Sequence, residues 1–216
     1  MEKKYTDPQV FIAPNKKFRQ SNIYFHVPGE KLSAKDEAMS SLFSKYFGTD
    51  MYSIVFQEIR EFRSLGYTAY SYYTYDYLER KPGNLFGFLG TQSDKTLDGM
   101  NAFKDLIVDM PVRMEKFNAS KEALLKARAS DYYNFRSMPS AVYSWMKKGY
   151  DHDPRGEVTE IIRSASFDDV QNFYNRLIKD RPVVIMMSGN EKKIDKKELG
   201  KFGEVTKLKY KQIIKE

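Results

Sequence analysis

The spacing of the apolar residues changes abruptly near Gly66, in the first third of this 216-residue chain. Before that point they recur every three to four residues from Val55 to Phe62, which predicts a helix that begins at Asp50 and ends at Gly66. After it, tyrosines alternate with other residues in TAYSYYTYDY (68–77), which has the two-residue period of a strand. A helix that leads directly into a strand predicts a sheet with helices packed against it.

The strand at 68–77 is followed by a turn sequence and by a second apolar stretch. Lys81-Pro82-Gly83-Asn84 has the composition of a turn, and LFGFLGT (85–91) follows it, so the sequence predicts a β-hairpin. The alternation places Tyr70 and Tyr72 on one face of the first strand and Tyr73, Tyr75 and Tyr77 on the other.

The other helices and strands are predicted from the spacing of their apolar residues and from the capping and turn residues at their ends. Ser33 is predicted to cap a helix over 34–47, with Asp36 at the third helical position, and Ser166 is predicted to cap a helix over 166–178. Further strands are predicted at 22–29, 181–189 and 204–210, and a long helical tract at 95–148 with breaks near Pro111, Asn118 and Pro139. Strands grouped between packed helices indicate an α+β fold, a roll or sandwich with a mixed or antiparallel sheet.

Composition limits the class of protein. At 41% apolar residues, a chain of this length can bury a core of its own. It has no apolar run of the roughly 18 residues that a membrane span needs. It has no cysteine, which excludes disulfides and thiolate sites. The compartment stays open, with the periplasm or cytoplasm of a bacterium as the leading expectation.

The net charge of +7 comes from the two ends of the chain. Residues 1–31 have six basic and three acidic side chains, and residues 191–216 have nine and five, whereas residues 32–190 are neutral overall. A nucleic-acid-binding protein concentrates its cations on one working face. Solvated terminal lysines are the simpler interpretation, so we expect no nucleic-acid partner.

Motifs for an independent reaction centre are missing from the sequence. The two histidines, His26 and His152, lie far apart and have no neighbouring glutamate at the spacing of a zinc-binding helix. We find no GxSxG elbow, no phosphate-binding GxxxxGK[ST] loop and no GxGxxG unit. We therefore expect no metal or cofactor to bind to this chain.

Two arginines on the predicted helix have no obvious acidic neighbour. No acid lies three or four residues from Arg60, and its helical neighbour is Arg63. Tyr67 follows Arg60 by seven residues, which would place all three side chains on one ridge if the helix continued that far. Such a ridge would donate hydrogen bonds to carbonyl or carboxylate oxygens. The alternative is an arginine that pairs with an acid elsewhere in the fold.

These residues resemble a segment of a known family. MYSIVFQEIREFRSLGYTAYS (51–71) is similar to the non-catalytic half of the insulinase/pitrilysin zinc peptidases, which include mitochondrial processing peptidase, because Ile59-Arg60 and Leu65-Gly66-Tyr67 match that family's motif and spacing. The likeness extends to Gln20 with NIYFHVPG, to YFG (46–48), to SFDDVQNFYNRLI (166–178) and to ELGKFGEVTKLKY (198–210).

The resemblance implies one half-domain roll over residues 1–216, with a core of about 9–210. It implies a homologous N-terminal catalytic half as partner, zinc in that partner half only, and a peptide substrate closed between the halves. By the same likeness, Arg60 and Tyr67 would bind the substrate backbone and the oxyanion, with Arg63 as a weaker electrostatic contributor. The alternating tyrosines would pack within the roll or form a wall of the peptide chamber. The resemblance also allows a second interpretation, in which the chain is a purely structural relative, like the family's core subunits in respiratory complexes.

Overall fold

The computed structural model describes residues 5–33, 36–76 and 81–209. They form one six-stranded mixed sheet in the order β3-β4-β2-β5-β1-β6. The strands are β1 (Gln9–Pro14), β2 (Gln20–Pro28), β3 (Thr68–Asp76), β4 (Lys81–Gln92), β5 (Val184–Gly189) and β6 (Glu204–Lys207). β1 pairs in parallel with β5 and β6, and the other described pairs are antiparallel. The predicted α+β class is confirmed.

The helices lie in the connections from β2 to β3, from β4 to β5 and from β5 to β6. They are α1 (Glu37–Ser44), α2 (Thr96–Val108), α3 (Met114–Ala129), α4 (Met138–Lys147), α5 (Arg155–Ser164), α6 (Phe167–Leu177) and the short α7 (Lys196–Gly200). Two π-helical segments, Lys45–Thr49 and Phe56–Phe62, lie between α1 and β3. No helix in the described ranges has the length and apolar character to cross a membrane.

The two faces of the sheet differ in what covers them. Along β2, every second residue from Ser21 to Val27 is buried, whereas Tyr24 between them is exposed. The buried face packs against helices, and the Phe25 ring stacks on Phe103 of α2 at 4.3 Å between centroids. Phe43 of α1 similarly contacts Phe173 of α6. The core therefore lies between one sheet face and the helices, and the other face stays largely open.

Several predicted boundaries are wrong in detail. The helix that follows Asp50 ends at Phe62 rather than Gly66, because the backbone of Ser64 is left-handed (φ 49°) and cannot continue it. Residues 81–84 belong to β4 instead of the turn, which leaves the connection at 77–80 outside the described residues. Asn118 lies inside α3, and α5 was not predicted. Ser166 caps α6 as predicted, in a capping box with Asp169.

Asp36 links the start of α1 to α6 and makes stability depend on pH. Burial opposes ionisation of Asp36, but its carboxylate accepts hydrogen bonds from Arg176 and from Ser33, and its pKa is lowered overall. A carboxylate whose pKa is lower in the folded than in the unfolded state stabilises the fold at pH values above its unfolded pKa of about 3.9. That contribution to stability is lost as the pH falls through the pKa of the folded state.

We expect wild-type protein to be more stable than Asp36→Asn at about pH 5, and this difference to shrink at about pH 3. Urea unfolding at both pH values measures it. Arg176→Gln, which removes one donor, is expected to reduce the same pH dependence. A difference between wild type and Asp36→Asn that is equal at both pH values would contradict this assignment.

Candidate functional site

The segment between the second π-helical segment (Phe56–Phe62) and β3 is held in place by hydrogen bonds to its backbone. The Leu65 N–H donates to the Ile59 carbonyl at 3.0 Å, and the Thr91 hydroxyl of β4 donates to the Leu65 carbonyl. Ile59 is itself fully buried. The chain therefore leaves the helix and enters β3 along one defined path, which sets the position of Tyr67 relative to Arg60.

Gly66 allows this path because it passes very close to β4. A Cβ atom at Gly66 would lie 2.7 Å from the Gly90 carbonyl oxygen and 2.5 Å from a methyl group of Leu89. Both distances are shorter than normal contacts, so a larger residue would push the segment away from the sheet. The glycine thus determines where the next residue, Tyr67, is placed.

Arg60 lies between two aromatic rings. Its guanidinium carbon is 4.8 Å from the centroid of Phe56, one helical turn earlier, and 5.1 Å from the centroid of Tyr67. Stacking on ring faces restrains the guanidinium and leaves the N–H groups at its edge available. The side chain of Arg60 is 39% exposed and Tyr67 is 79% exposed. The pair is therefore both ordered and accessible.

The hydrogen-bond donors of Arg60 and Tyr67 make few contacts within the described part of the chain. Arg60 has one ion pair there, from Nε to the carboxylate of the adjacent Glu61 at 3.5 Å. The Tyr67 hydroxyl has no hydrogen bond to any described residue. A guanidinium edge and a phenol together can donate to a carbonyl or carboxylate oxygen. We call Arg60 and Tyr67 the donor pair.

Arg63 is placed differently. Its guanidinium lies 4.0 Å from the carboxylate of Glu58, five residues earlier. A π-helix brings residues i and i+5 together, whereas the predicted α-helix would have separated them. The helical ridge of Arg60, Arg63 and Tyr67 predicted from the sequence is therefore wrong, because Tyr67 lies beyond the helix. Arg60 and Tyr67 meet through the turn instead.

An aromatic surface begins on β3, directly after the donor pair. Thr68 opens β3, and Tyr70 and Tyr72 project from the sheet face that the helices leave open. The register places Tyr70 opposite Phe88 of β4, which is opposite Tyr24 of β2. We call the surface formed by Tyr24, Tyr70, Tyr72, Phe86 and Phe88 the aromatic face.

The rings of the aromatic face contact one another continuously. Tyr70 and Tyr72 are nearly parallel, with an interplanar angle of 6°, and the centroids of Tyr24 and Phe88 are 5.1 Å apart. Partial burial, with the neighbouring Tyr72 and Tyr24, raises the pKa of Tyr70 above its ordinary value. The Tyr70 hydroxyl therefore stays protonated at neutral pH. Tyr73 points the other way and is buried, as alternation predicts, while the side chains of Tyr75 and Tyr77 lie outside the described residues.

The part of the chain that the structure describes contains no group of three or more His, Cys, Asp or Glu that could hold a metal ion. His152 is exposed and pairs with its neighbour Asp151 at 2.7 Å. That hydrogen bond, with a second that the imidazole donates to the Glu157 carboxylate, raises the pKa of His152. A metal ligand needs a neutral imidazole, so this environment does not favour metal binding.

A sequence model described as the peptidase M16 inactive domain matches residues 2–124. This chain belongs to the peptidase M16 inactive-domain family. The match confirms the resemblance to the non-catalytic half of the insulinase/pitrilysin peptidases. The family description agrees with a domain that has no zinc site of its own. No curated protein sequence matches the chain significantly.

Solved structures share the fold of this M16 domain at low identity. The peptidase M16 inactive domain from Pseudomonas fluorescens superposes with a TM-score of 0.72 at 15% identity, over 85% of this chain and 44% of that chain. A protease from Helicobacter pylori gives 0.69 at 11% identity, over 85% and 45%. A chain of complex III from Candida albicans gives 0.63 at 14% identity, over 92% and 50%. This M16 domain therefore spans about half of each similar chain.

Sequence reasoning missed part of the site. Phe56 lies four residues before Arg60 on the helix, and that spacing could have indicated the stacking. Tyr24, Phe86 and Phe88 could have been found from the alternation in NIYFHV and LFGFLG. Their meeting with Tyr70 and Tyr72 depends on strand order, which the sequence does not give.

Proposed function

We propose that this M16 domain is the accessory, substrate-binding half of a zinc-dependent endopeptidase. The donor pair is the observation that carries the proposal. Arg60 is held between Phe56 and Tyr67, so its N–H groups and the Tyr67 hydroxyl are presented together at an accessible position. Ordered donors of this kind suit an oxygen on which negative charge develops during a reaction.

The chemistry of the donor pair fits peptide hydrolysis. When water adds to a peptide carbonyl, the carbonyl oxygen gains negative charge, and hydrogen bonds to it strengthen. Arg60 stays charged at any relevant pH, and Tyr67 donates a neutral hydrogen bond. Zinc, held by the partner half, would supply the activation of water. Arg63 would be a weaker electrostatic contributor, because Glu58 at 4.0 Å partly offsets its charge.

The aromatic face supports a peptide as the substrate. Its rings extend from β3, which begins directly after Tyr67 in the chain, across β4 to β2. Aromatic rings contact aliphatic, aromatic and cationic side chains alike, so such a surface binds extended peptides without requiring one sequence. This arrangement favours a substrate class of unfolded or extended polypeptides.

The partner is a homologous half-domain. The chain spans 44% to 50% of the similar solved chains, which leaves room for a second half of equal size in each of them. We propose that residues 1–216 form one half-domain, and that an N-terminal half with the inverted motif His-x-x-Glu-His closes over the donor pair. The substrate would lie between the two halves.

A second candidate is a non-catalytic scaffold. The likeness to a chain of complex III from Candida albicans favours it, because the fold also occurs in an assembly of that name. The two candidates differ in what they require. An accessory half needs the donor pair and a zinc-binding partner, whereas a scaffold needs neither.

The proposal is tested by mixing the purified chain with a second purified protein. That protein is the homologous half with the motif His-x-x-Glu-His whose gene lies nearest to the gene for this chain. Cleavage of a quenched fluorescent peptide library by the mixture, and not by either half alone, is the expected result. A partner half that cleaves equally well without this chain would favour the scaffold.

The isolated chain is expected to bind no zinc tightly and to cleave no peptide, because its two histidines lack the spacing of a zinc motif and the described residues hold no cluster of metal ligands. Metal analysis after dialysis and the same peptide library measure both properties. Stoichiometric zinc together with chelator-sensitive cleavage would overturn this expectation.

Tyr70→Ser combined with Tyr72→Ser is expected to raise KM of the two-half enzyme by about five- to tenfold and to leave kcat within about twofold. The reason is that these rings would hold the substrate equally in its ground and transition states. Steady-state kinetics on one peptide measures the split. Thr74→Ser, on the same strand, is the control. A fall in kcat with unchanged KM would place these rings in the reaction itself.

A further inference from the structure

The open face of the sheet continues beyond the rings of the aromatic face. The register extends the line from Tyr70 through Phe88 and Tyr24 to Met186 of β5 and Phe11 of β1. Met186 is exposed and Phe11 is half-buried. We call these five residues the apolar row, since together they form a ridge of large side chains that crosses the sheet.

A second row, made of small residues, runs beside the apolar row on the same face. Residues two positions apart on a strand share a face, and the register aligns the following residues of β3, β4, β2, β5 and β1: Thr68, Gly90, Asn22, Ser188 and Ala13. We call them the small row. No described residue forms a hydrogen bond with the side chains of Thr68, Asn22 or Ser188. The small row therefore begins beside Tyr67 and offers free hydrogen-bonding groups along its length.

Two loops border the side of the small row that is opposite the apolar row. β1 and β5 end at this edge of the sheet and β2 begins there, so residues 15–19 and 190–195 lie next to the small row. The side-chain amide of Asn190 donates to the Lys16 carbonyl at 3.1 Å and ties the two segments together. We call residues 15–19 and 190–195 the basic loops.

The basic loops have more free cations than free acids. Glu191 is paired with Lys207 at 2.7 Å, and Asp195 caps α7 by accepting from the Lys197 N–H at 2.7 Å. Asp94, in the neighbouring loop after β4, is exposed. The exposed cations of the basic loops that have no ion pair with any described residue are Lys16, Lys17, Arg19, Lys192 and Lys193. This edge of the sheet therefore has a positive potential.

We propose that the small row is a channel for the substrate peptide and that the basic loops select acidic side chains at alternate positions of that peptide. Successive side chains of an extended peptide point to opposite sides. One set would contact the apolar row and the other set the basic loops, while the backbone would face Thr68, Asn22 and Ser188. The inference rests on the proposed accessory role, because the channel extends the same substrate site from the donor pair.

The strand order sets which substrate residues are selected. Neighbouring strands lie about 4.8 Å apart, and an extended chain advances about 3.3 Å per residue. β2 and β1, which flank the first basic loop, are two and four strand spacings from β3. These spacings correspond to about 10 Å and about 19 Å, or about three to six residues of peptide. Acids at those distances from the scissile bond, on one side of it, would therefore face the basic loops.

Fluorescence anisotropy with the isolated 216-residue chain tests the inference. A labelled peptide of about ten residues in which leucine and aspartate alternate is compared with the same peptide carrying asparagine for aspartate. The aspartate peptide is expected to bind at least about tenfold more tightly at about 50 mM NaCl, because several exposed ion pairs of modest strength add together. Salt screens exposed charges, so the ratio should fall below about threefold at about 500 mM NaCl. Equal affinities at low salt would overturn the inference.

A peptide of identical composition tests the alternation. Its leucines and aspartates stand in two separate blocks, so it has the same charge but cannot place the two kinds of side chain on opposite sides along its length. We expect it to bind at least about threefold more weakly than the alternating peptide. Equal binding of the two peptides would contradict the channel between the apolar row and the basic loops.

Two double variants locate the cations that matter. Lys17→Glu with Lys193→Glu, one from each basic loop, is expected to reduce the preference for aspartate over asparagine to below about twofold. Arg136→Glu with Lys147→Glu, at the two ends of α4, is the matched control, because it changes the net charge by the same amount at exposed positions. The control is expected to keep the preference. Equal loss in both variants would show a general attraction by net charge and overturn the inference.

The outcomes separate this inference from the proposed function. Cleavage by the two-half mixture, with no preference for aspartate, would overturn the inference alone. A preference by the isolated chain, with no cleavage by the mixture, would support the channel and overturn the proposed peptidase role. Binding to single-stranded DNA or to vesicles of anionic phospholipid that the Lys17 and Lys193 variant abolishes, with the peptide preference unchanged, would assign the basic loops to that partner instead.

Discussion

Tyr67→Phe is expected to lower kcat of the assembled two-half enzyme by about ten- to a thousandfold, where loss of one oxyanion-hole donor costs about a hundred- to a thousandfold. The change deletes only the hydroxyl and keeps the ring on which Arg60 stacks. A hydrogen bond that forms mainly in the transition state affects kcat and kcat/KM together and leaves KM nearly unchanged. Steady-state kinetics with a fluorogenic peptide measures this.

Tyr72→Phe is the matched control for that experiment. It removes the same hydroxyl from a tyrosine of the aromatic face, where the ring contacts Phe86 and the hydroxyl is not expected to reach the reacting carbonyl. We expect its kcat to stay within about twofold of wild type. Both variants keep the fold, which circular dichroism and partner binding would verify.

Arg60 is tested with two changes. Arg60→Lys keeps a positive charge but loses the planar group that stacks between Phe56 and Tyr67, and we expect it to lower kcat by about tenfold or more. Phe56→Leu removes one stacking ring and is expected to have a smaller effect of the same kind. If Tyr67→Phe kept full kcat and kcat/KM, and Arg60→Lys changed only stability, the donor pair would be structural. The scaffold would then be the better account.

Phe25→Ala is expected to reduce the free energy of unfolding by about 3–5 kcal/mol, a large part of the stability of a domain of this size. Phe25 is fully buried and stacks on Phe103 with an interplanar angle of 6°. Alanine would leave a cavity between β2 and α2 that the surrounding backbone cannot fill. Urea denaturation measures the effect. We expect a lower urea concentration at the unfolding midpoint and an unchanged dependence of the free energy on urea concentration.

Tyr24→Ala is the control, because Tyr24 is the preceding residue on the same strand and faces the other side. It is 37% exposed and contacts Phe86 and Phe88 at the surface, so we expect a loss of about 1 kcal/mol. The contrast between two adjacent residues tests which sheet face is covered by helices. Equal losses from both changes would mean that both faces are packed in solution.

The sequence by itself determined the elements whose signals are local. The two-residue alternation of the tyrosines in β3, with the turn residues after it, identified the hairpin and separated the two faces of β3, because successive side chains of a strand must point in opposite directions. Ser166 marked the start of α6, since an N-cap serine satisfies backbone groups within its own first turn, and the structure adds Asp169 as its capping-box partner. Ile59-Arg60 and Leu65-Gly66-Tyr67, taken together with the order of the surrounding segments, indicated the family.

The tertiary structure decided what depends on contacts between distant residues. The sequence predicted Arg60 and Tyr67 on one helical ridge, but the left-handed Ser64 ends the helix, and the close passage of Gly66 over Gly90 of β4 places Tyr67 against Arg60. Strand order brought Tyr24 beside Phe88 and Phe88 beside Tyr70. Such arrangements depend on long-range packing that no local period encodes, because a strand's own sequence does not specify its neighbours in the sheet.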